Sequence, residues 1–304
     1  MTSNSDQDDE FSKKLPPLLA DGSFWGLMAT QFLGAFNDNL FKQLVLFVCV
    51  KQALDGQAGN LQGIAMFVFA LPFVLLSGVC GVLADRYSKR SIIVVSKVLE
   101  IVAMLLGAVA FWTGSLLSLL VVLSLMGAHS AFFGPAKYGV LPELFRPQDL
   151  PRANGWMLMT LFLAIILGVA LAGFLTVRLA GQLWLASTAC IATAILGTLT
   201  AVVIRRTPAA HPGLPIHADS FGIPQEARQL LVSQPRFLAV LMATSVFWCV
   251  GGIYQQGVND LGILQLGIDE QKTSLLGACA AIGIAMGCAT AGKLSQGRFE
   301  ARLV

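Results

Sequence analysis

The sequence predicts an all-α integral membrane protein, built as a bundle of eight membrane-spanning helices. Apolar residues make up 56% of the 304 residues and charged residues only 12%, whereas a soluble domain carries about 25% charged residues. The apolar residues are also gathered into eight separate runs, each close to the roughly 20 residues that a helix needs to cross the hydrocarbon core. Such a chain has too little polar surface for a soluble globular protein, so that class is excluded.

The eight predicted spans are separated by polar segments, and the first and seventh spans carry the most polar residues. They cover Phe24–Val50, Leu61–Val82, Ile92–Trp112, Leu116–Phe133, Gly155–Val177, Leu183–Ile204, Phe237–Val258 and Thr273–Ala291. A Gly-Pro pair at Gly134–Pro135 is expected to break the fourth helix. Residues 1–22 are polar and acidic and lack the basic start and apolar core of a signal peptide, so they are expected to form a disordered cytoplasmic tail.

The distribution of lysine and arginine predicts the orientation of the spans. If the N-terminus is cytoplasmic, fifteen of these residues lie in cytoplasmic segments and only three, Lys51, Arg178 and Lys272, lie in outer loops. Membrane proteins keep their basic loops on the cytoplasmic side. The N-terminus is therefore expected in the cytoplasm.

A proline-rich stretch divides the spans into six before it and two after it. We expect residues 23–204 to form an N-terminal six-helix bundle, residues 205–236 a cytoplasmic loop with a short helix near residues 225–232, and residues 237–304 the first two helices of a second bundle. Gly81-Val82-Leu83 before a basic turn is echoed by Gly292-Lys293-Leu294 before another, as in transporters built from two similar halves. On this interpretation eight of twelve expected helices are present and the second bundle is truncated. The alternative is a complete protein of eight helices.

Polar residues inside a membrane span are costly and mark candidate functional positions. The first span carries Asn37, Asp38, Asn39 and Lys42. Asp38 and Lys42 are four residues apart and are expected to pair on one helical face. One interpretation is a polar site that lines a cavity and contacts a polar head group or a coupling cation. The other is a clasp between helices that only locks the bundle.

Two further polar pairs lie in spans three and four. Lys97 and Glu100 are three residues apart, which fits a self-contained ion pair as well as a substrate or ion role, with Lys97 reaching towards the inner surface. Lys137 and Tyr138 follow the Gly-Pro pair and are expected at the inner membrane surface. There they fit a contact to an anionic phosphate or an ordinary pair of interfacial anchors.

A strongly charged turn, running from Gly81 to Arg90, separates the second span from the third. A turn between two spans must lie at a membrane surface, and the positive-inside bias places this one in the cytoplasm. Its charges are expected to hold one conformation and to be released in the other. The predicted conformational gate consists of Gly81, Asp85, Arg86, Lys89 and Arg90.

The sequence does not indicate metal, cofactor or nucleic-acid chemistry. The six cysteines lie in apolar runs without CxxC spacing and the three histidines lack ligand spacing, so no metal site, catalytic residue or cofactor is expected. His129, in span four, is interpreted as a packed or hydrogen-bonded side chain. The net charge of +3 is spread over several loops, which does not fit a nucleic-acid partner.

The turn sequence Gly81-Val82-Leu83-Ala84-Asp85-Arg86, completed by Lys89-Arg90, resembles the signature loop of the major facilitator superfamily. A narrower resemblance points to the lysophospholipid transporter family of bacterial inner membranes and extends from about Phe24 to Val304. It rests on four stretches: Gln31–Asn39, Pro135–Leu144, Ala153–Gly155 and Ser245–Trp248.

This resemblance implies that lysophospholipids such as lysophosphatidylethanolamine are taken from the membrane lipid and flipped inward for reacylation. Some relatives are fused to an acyltransferase and an acyl-carrier-protein synthetase, which implies a cytoplasmic partner of that kind. The resemblance also implies head-group or coupling roles for Asp38, Asn39 and Lys137. Gln255 is a departure, because the family carries a basic residue near this position of span seven.

Two alternatives remain open at this point. One is an exporter of drugs or small solutes from the same superfamily, because a cavity with polar and aromatic walls also suits amphipathic drugs. The other is the membrane part of a lipid-remodelling acyltransferase fusion. The chain itself is expected to be a transporter and not an enzyme, since it has no His-x4-Asp pair in a fitting context.

Overall fold

The computed structural model describes residues 15–54, 60–214, 222 and 225–295. Eight long helices account for most of these residues: α1 Gly22–Leu54, α2 Leu61–Arg86, α3 Lys89–Thr113, α4 Leu116–Gly139, α5 Leu150–Arg178, α6 Ala186–Val203, α7 Pro235–Asn259 and α8 Glu270–Ser295. Between them lie short helices at Leu141–Leu144 and Gln225–Ser233, and a π-helical segment, Asp260–Gln265, that continues α7. The described residues contain no strand, and the all-α prediction is confirmed.

Seven stretches of the described chain are long and apolar enough to cross a membrane. They comprise α1 to α6, with short extensions of α5 and α6 at their N-terminal ends, and α7 with its π-helical continuation. The eighth predicted span forms the 26-residue helix α8 but is not among these seven. The chain is thus a multi-pass membrane protein.

Helix α1 lies at the centre of the first six helices, where it packs on α2, α4, α5 and α6. Glycines allow the helices to approach closely. A Cβ atom on Gly168 of α5 would lie 2.6 Å from the Phe36 carbonyl oxygen of α1, and one on Gly127 of α4 would collide with the Phe69 carbonyl of α2. Close packing of this kind stabilises helix pairs in lipid, where burial of apolar surface brings little gain.

Helix α8 packs along α5 and so joins the last two long helices to the first six. The contact is tight, because a Cβ atom on Gly173 would collide with the Ser274 hydroxyl and lie 2.5 Å from the Glu270 carbonyl oxygen. Just before α8, Asp269 Oδ1 accepts a hydrogen bond from the Lys272 backbone N–H at 2.8 Å. This bond stabilises the charged carboxylate and holds the pKa of Asp269 below its ordinary value.

Two local predictions differ from the structure. Helix α4 does not break at Gly134–Pro135 but continues through Pro135 to Gly139, since membrane helices tolerate proline where neighbouring helices pack around it. The end of the predicted tail is packed, because Leu18 is buried and Asp21 Oδ2 accepts a hydrogen bond from Arg205 Nη2 at 2.9 Å. Residues 1–14, residues 215–221 of the predicted loop and residues 296–304 lie outside the described chain.

Arg205 ties three elements together where α6 ends. Its Nη2 also donates to the Leu144 carbonyl oxygen at 2.8 Å, and its backbone N–H donates to Ser23 Oγ at 3.1 Å. The start of α1, the helix Leu141–Leu144 and the end of α6 therefore meet at one end of the bundle. The loop that follows contains the predicted short helix, Gln225–Ser233.

Candidate functional site

One face of α1 presents polar side chains to the neighbouring helices. Gln31, Asp38 and Lys42 are separated by seven and four residues and so share a helical face. Gln31 is fully buried, and neither its Nε2 nor its Oε1 has a hydrogen-bond partner among the described residues. Asn39 lies beside this face, and its Nδ2 donates to the Ala35 carbonyl oxygen at 2.8 Å. The face therefore combines charge with unused hydrogen-bonding capacity at membrane depth.

Helix α4 holds the Asp38 carboxylate. Ser130 Oγ donates to Asp38 Oδ2 at 2.7 Å, and His129 Nε2 lies 3.5 Å from Asp38 Oδ1. The His129 side chain is buried, and neither of its ring nitrogens has a hydrogen-bond partner within the described chain. Asp38 Oδ1 lacks a hydrogen bond there as well. One oxygen of this carboxylate is thus satisfied, and the other lies beside the imidazole.

Two lysines near Asp38 contact neutral groups. Lys42 Nζ donates to Asn39 Oδ1 at 3.0 Å and lies 5.4 Å from the centre of the Phe69 ring. Lys137 Nζ lies 5.2 Å from the centre of the Phe133 ring and 5.1 Å from that of its neighbour, Tyr138. Within the described chain, neither lysine forms an ion pair with a carboxylate. Aromatic faces attract the ammonium groups but do not neutralise them.

The charges around Asp38 do not balance. The Asp38 carboxylate interacts electrostatically with Lys42, Lys97 and Lys137 as well as with His129. Lys97 is already paired with Glu100. Three lysines and two carboxylates leave one positive charge in excess when His129 is neutral. Lys42 and Lys137 are half-buried, and an excess charge withdrawn from water is unfavourable unless a counter-charge enters, so this region favours an anionic ligand group.

A second buried cluster joins α1 to α3. Lys97 Nζ pairs with Glu100 Oε2, and Asn37 Nδ2 donates to Glu100 Oε1 at 2.6 Å. All three side chains are buried. Glycines leave room for the amine, because a Cβ atom on Gly34 would lie 3.2 Å from Lys97 Nζ and one on Gly197 only 2.9 Å from it. Both Glu100 oxygens are therefore bound, whereas Asn37 Oδ1 has no hydrogen-bond partner among the described residues, and the cluster ties α1 to α3.

The charged turn between α2 and α3 contacts several elements of the first bundle. Lys89 Nζ lies 2.5 Å from Glu143 Oε1 and 3.8 Å from Asp85 Oδ1. Arg90 Nη2 donates to the Val202 carbonyl oxygen at 3.0 Å, at the C-terminal end of α6, where a cation also complements the helix dipole. Gly81 has open space around it, and Arg86 stacks at 5.6 Å from the ring centre of the adjacent Tyr87.

A ladder of side-chain amides connects the two halves of the chain. Gln255 Nε2 donates to Gln43 Oε1, Gln43 Nε2 to Asn259 Oδ1, Asn259 Nδ2 to Gln62 Oε1, and Gln62 Nε2 to Asp260 Oδ1, each at 2.8 Å. We call these five residues the amide ladder. Gln43 and Gln62 belong to α1 and α2, whereas the other three belong to α7 and its π-helical continuation. All four bonds therefore cross between the halves.

The amide ladder lies near the end of the bundle where α1 finishes and α8 starts. The predicted orientation puts this end outside the cell, and we call it the outer end. There, Lys51 Nζ also pairs with Glu270 Oε1 at 2.5 Å. The described side chains from Pro235 to Gly251, in the opposite part of α7, are exposed. In this structure the halves are joined at the outer end.

Several predicted site residues find different partners from those expected. The Asp38–Lys42 pair does not form, because Ser130 of α4 binds the carboxylate while Asn39 and Phe69 contact the amine. Lys97 does not reach the surface but is buried against Glu100, so this ion pair is confirmed. Lys137 and Tyr138 lie within α4 and not beyond its end.

Sequence reasoning missed His129 and Ser130 as partners of Asp38, and it missed the amide ladder. Glutamine and asparagine inside apolar runs were the available signal, because buried polar groups in a membrane need partners. Gln255, noted only as a departure, proves to be one end of that ladder. Among the described residues, no group of three or more His, Cys, Asp and Glu side chains is arranged to hold a metal ion.

Comparisons with known sequences agree with this architecture. The family model of the Major Facilitator Superfamily matches residues 19–304. The protein named Lysophospholipid transporter LplT of Serratia proteamaculans (strain 568) is 29% identical over 91% of this chain and 67% of its own length. The protein of the same name from Yersinia pestis (strain Pestoides F) is 30% identical over 91% of this chain and 66% of its own. The chain thus spans about two thirds of these relatives.

A solved structure with a similar fold is a peptide transporter POT in complex with sulfate. The two share 17% sequence identity with a TM-score of 0.53, and the match covers 84% of this chain and 54% of the transporter. At this identity the likeness concerns the fold alone. The chain thus spans about half of that transporter.

Proposed function

The chain belongs to the Major Facilitator Superfamily, and we propose that it moves lysophospholipids across the bacterial inner membrane by alternating access. The observation that carries this proposal is the excess positive charge beside Asp38, contributed by Lys42 and Lys137, which have no carboxylate partner in the described chain. A lysophospholipid brings one phosphate anion and one acyl chain, and lysophosphatidylethanolamine also carries an ammonium group. The phosphate would supply the missing counter-charge locally, between the two lysines, with the ammonium directed away from them.

The residues around the two lysines suit a lipid head group. Lys42 is oriented by Asn39 Oδ1 at 3.0 Å, so its remaining N–H groups are available to phosphate oxygens. Lys137 is flanked by two aromatic rings, which hold a cation without consuming its hydrogen-bond donors. Phe32 and Phe36 stack with ring centres 6.0 Å apart on α1 and offer apolar contact for an acyl chain. The names of the relatives from Serratia and Yersinia support the same substrate class.

Two sets of contacts would open and close the pathway. We assign the outer gate to the amide ladder and the Lys51–Glu270 pair, which join the halves in this structure. The turn from Gly81 to Arg90 would be the inner gate, through Asp85, Arg86, Lys89 and Arg90. This assignment places the N-terminus in the cytoplasm, residues 23–204 in one bundle and residues 237–304 in the start of a second, with the loop 205–236 between them.

The product would be a lysophospholipid in the inner leaflet, where reacylation requires an acyltransferase. We therefore include a cytoplasmic acyltransferase and acyl-carrier-protein synthetase as the proposed partner. The same charge excess argues against export of cationic drugs, because a cation would add to the unbalanced positive charge. The two substrate classes can thus be distinguished by whether the transported molecule carries a phosphate group.

The test is uptake by proteoliposomes of two lipids that differ in the phosphate: labelled lysophosphatidylethanolamine and a monoacylglycerol of the same chain length. Lys137→Gln is expected to lower lysophosphatidylethanolamine uptake about tenfold or more, the loss of one charged hydrogen bond, without changing monoacylglycerol binding. Asp38→Ala is expected to abolish uptake while the protein still inserts. Arg178→Gln is the matched control, since Arg178 also stands in the last turn of its helix, α5, and lies over an aromatic ring, at 5.4 Å from the centre of Phe174.

Normal lysophosphatidylethanolamine uptake by Lys137→Gln would contradict the assignment of the phosphate site. Uptake of a cationic drug by the wild-type protein, with no uptake of lysophosphatidylethanolamine, would overturn the proposed substrate class. Equal losses of lysophosphatidylethanolamine uptake in Lys137→Gln and Arg178→Gln would contradict a specific role of Lys137 in phosphate binding.

A further inference from the structure

The His129 ring is buried without a hydrogen-bond partner among the described residues, which is energetically unfavourable. The side chain is 5% exposed, and both ring nitrogens lack a hydrogen-bond partner among the described residues. A neutral imidazole has one donor and one acceptor nitrogen, and buried groups of this kind are nearly always paired. The nearby Asp38 Oδ1, 3.5 Å from Nε2, is an unused acceptor. A donor and an acceptor thus face each other across two helices without forming a hydrogen bond.

From this geometry we propose that His129 and Asp38 form a proton-binding site that couples proton entry to lysophospholipid transport. The inference rests on the proposed function, because it assigns the coupling ion for that substrate. The proton adds to the free lone pair of the imidazole, so both ring nitrogens become donors. Nε2–H then donates to Asp38 Oδ1, and a charge-assisted hydrogen bond replaces two unsatisfied groups. Release reverses this step, and the proton leaves to water on the other side.

Few other charges compete for this proton. Helix α2, which packs closely on α4, has no titratable side chain from Leu61 to Val79. The charged groups on the other elements packed on α4 are either paired or cationic, and a cation takes up no proton. The pairs are Lys97 with Glu100 of α3, and Lys89 of α3 with Glu143 of the following short helix and with Asp85 near the end of α2. The cations are Arg86 of α2, Arg90 of α3, Lys42 of α1 and, on α4 itself, Lys137.

Charge explains why the proton and the lipid would bind together. The region holds one excess positive charge with a neutral imidazole and two with a protonated one. The second charge strengthens the attraction for a phosphate anion, and by linkage the bound phosphate strengthens proton binding to the same degree. Imidazole is also the side chain that ordinarily exchanges its proton between pH 5 and 8. The geometry therefore favours co-transport of a proton with a lipid whose phosphate group binds at the two lysines.

The first test measures lysophosphatidylethanolamine binding to the purified protein as a function of pH. Wild-type affinity is expected to rise at least about fivefold from pH 8 to pH 5.5, within the usual range of coupling between two ligands. His129→Gln is expected to remove this dependence on pH. His211→Gln is the matched control, because His211 is an exposed histidine of the loop, and it should retain the full dependence. A dependence unchanged in His129→Gln would overturn the proposal.

The second test does not need a substrate. The chain has three histidines, so ring ¹⁵N NMR signals are readily assigned by single replacements. The His129 signal is expected to change from neutral to protonated between pH 8 and pH 5. In Asp38→Asn its neutral form should persist to lower pH, while the other two signals remain unchanged. If the Asp38→Asn spectra match those of the wild type, the proton site is refuted. If they differ as expected but no lipid binds, only the proposed substrate fails.

Discussion

Replacing Gln43 with leucine should open the outer end of the protein. Gln43 accepts one ladder bond from Gln255 and donates another to Asn259, each at 2.8 Å. Both bonds cross between the halves, so they exist only while the outer end is closed. An interhelical hydrogen bond in a membrane protein contributes about 0.6 kcal/mol on average, and one in a soluble protein about 1 kcal/mol.

Loss of two such bonds amounts to about 1–2 kcal/mol. The closed state of the variant also leaves Gln255 Nε2 and Asn259 Oδ1 without their ladder partners, whereas water satisfies both atoms once the outer end opens. At 1.4 kcal/mol per factor of ten, the ratio of open to closed molecules should increase about 5- to 30-fold.

Spin labels at positions 54 and 272 report this change by electron double resonance. Leu54 and Lys272 are exposed residues of the outer end, one at the end of α1 and the other in α8. Gln43→Leu is expected to add a longer distance between the labels. Gln182→Leu is the control, because Gln182 is an exposed glutamine of an outer loop and lies outside the ladder. Identical distance distributions for Gln43→Leu and the wild type would refute the gating role of the ladder.

Two further predictions concern charged side chains. Glu100→Gln leaves the Lys97 ammonium buried without its carboxylate and should destabilise the protein by about 3–5 kcal/mol, whereas Asp269→Asn, at the exposed pair with Lys272, should cost much less. Thermal unfolding in detergent compares the two variants, and equal losses would contradict the burial argument. Arg86→Ala should slow transport and leave the substrate affinity near that of the wild type, as kinetics in proteoliposomes will reveal, and a pure loss of affinity would exclude a gating role for the turn.

The helices could be predicted from the sequence because each depends on local composition. The Lys97–Glu100 pair was also within reach, since its partners are three residues apart on one helix. Asp38 and Lys42 have an equally suitable spacing, yet Asp38 is bound by Ser130 of α4, whereas Lys42 donates to Asn39 on its own helix and lies over Phe69 of α2. Spacing permits such a pair, but packing decides whether it forms.

The amide ladder lay beyond sequence reasoning for a related reason. Its partners are 197 to 216 residues apart, and no local period connects such positions. His129 gave no signal either, because a single histidine in an apolar run resembles any packed side chain. Its candidate role depends on Asp38 of α1, whose Oδ1 lies 3.5 Å from His129 Nε2.

The uncompensated charge near Asp38 has an electrical consequence. A charge that moves across a membrane does work against the membrane potential, about 2.3 kcal/mol per elementary charge for each 100 mV. An empty protein that changes conformation carries its surplus lysine charge through part of this field. A bound phosphate and a coupled proton cancel each other, so for a head group without a further charge the loaded protein would carry the same surplus. The membrane potential would thus act on the return of the empty carrier as much as on the transport of the lipid.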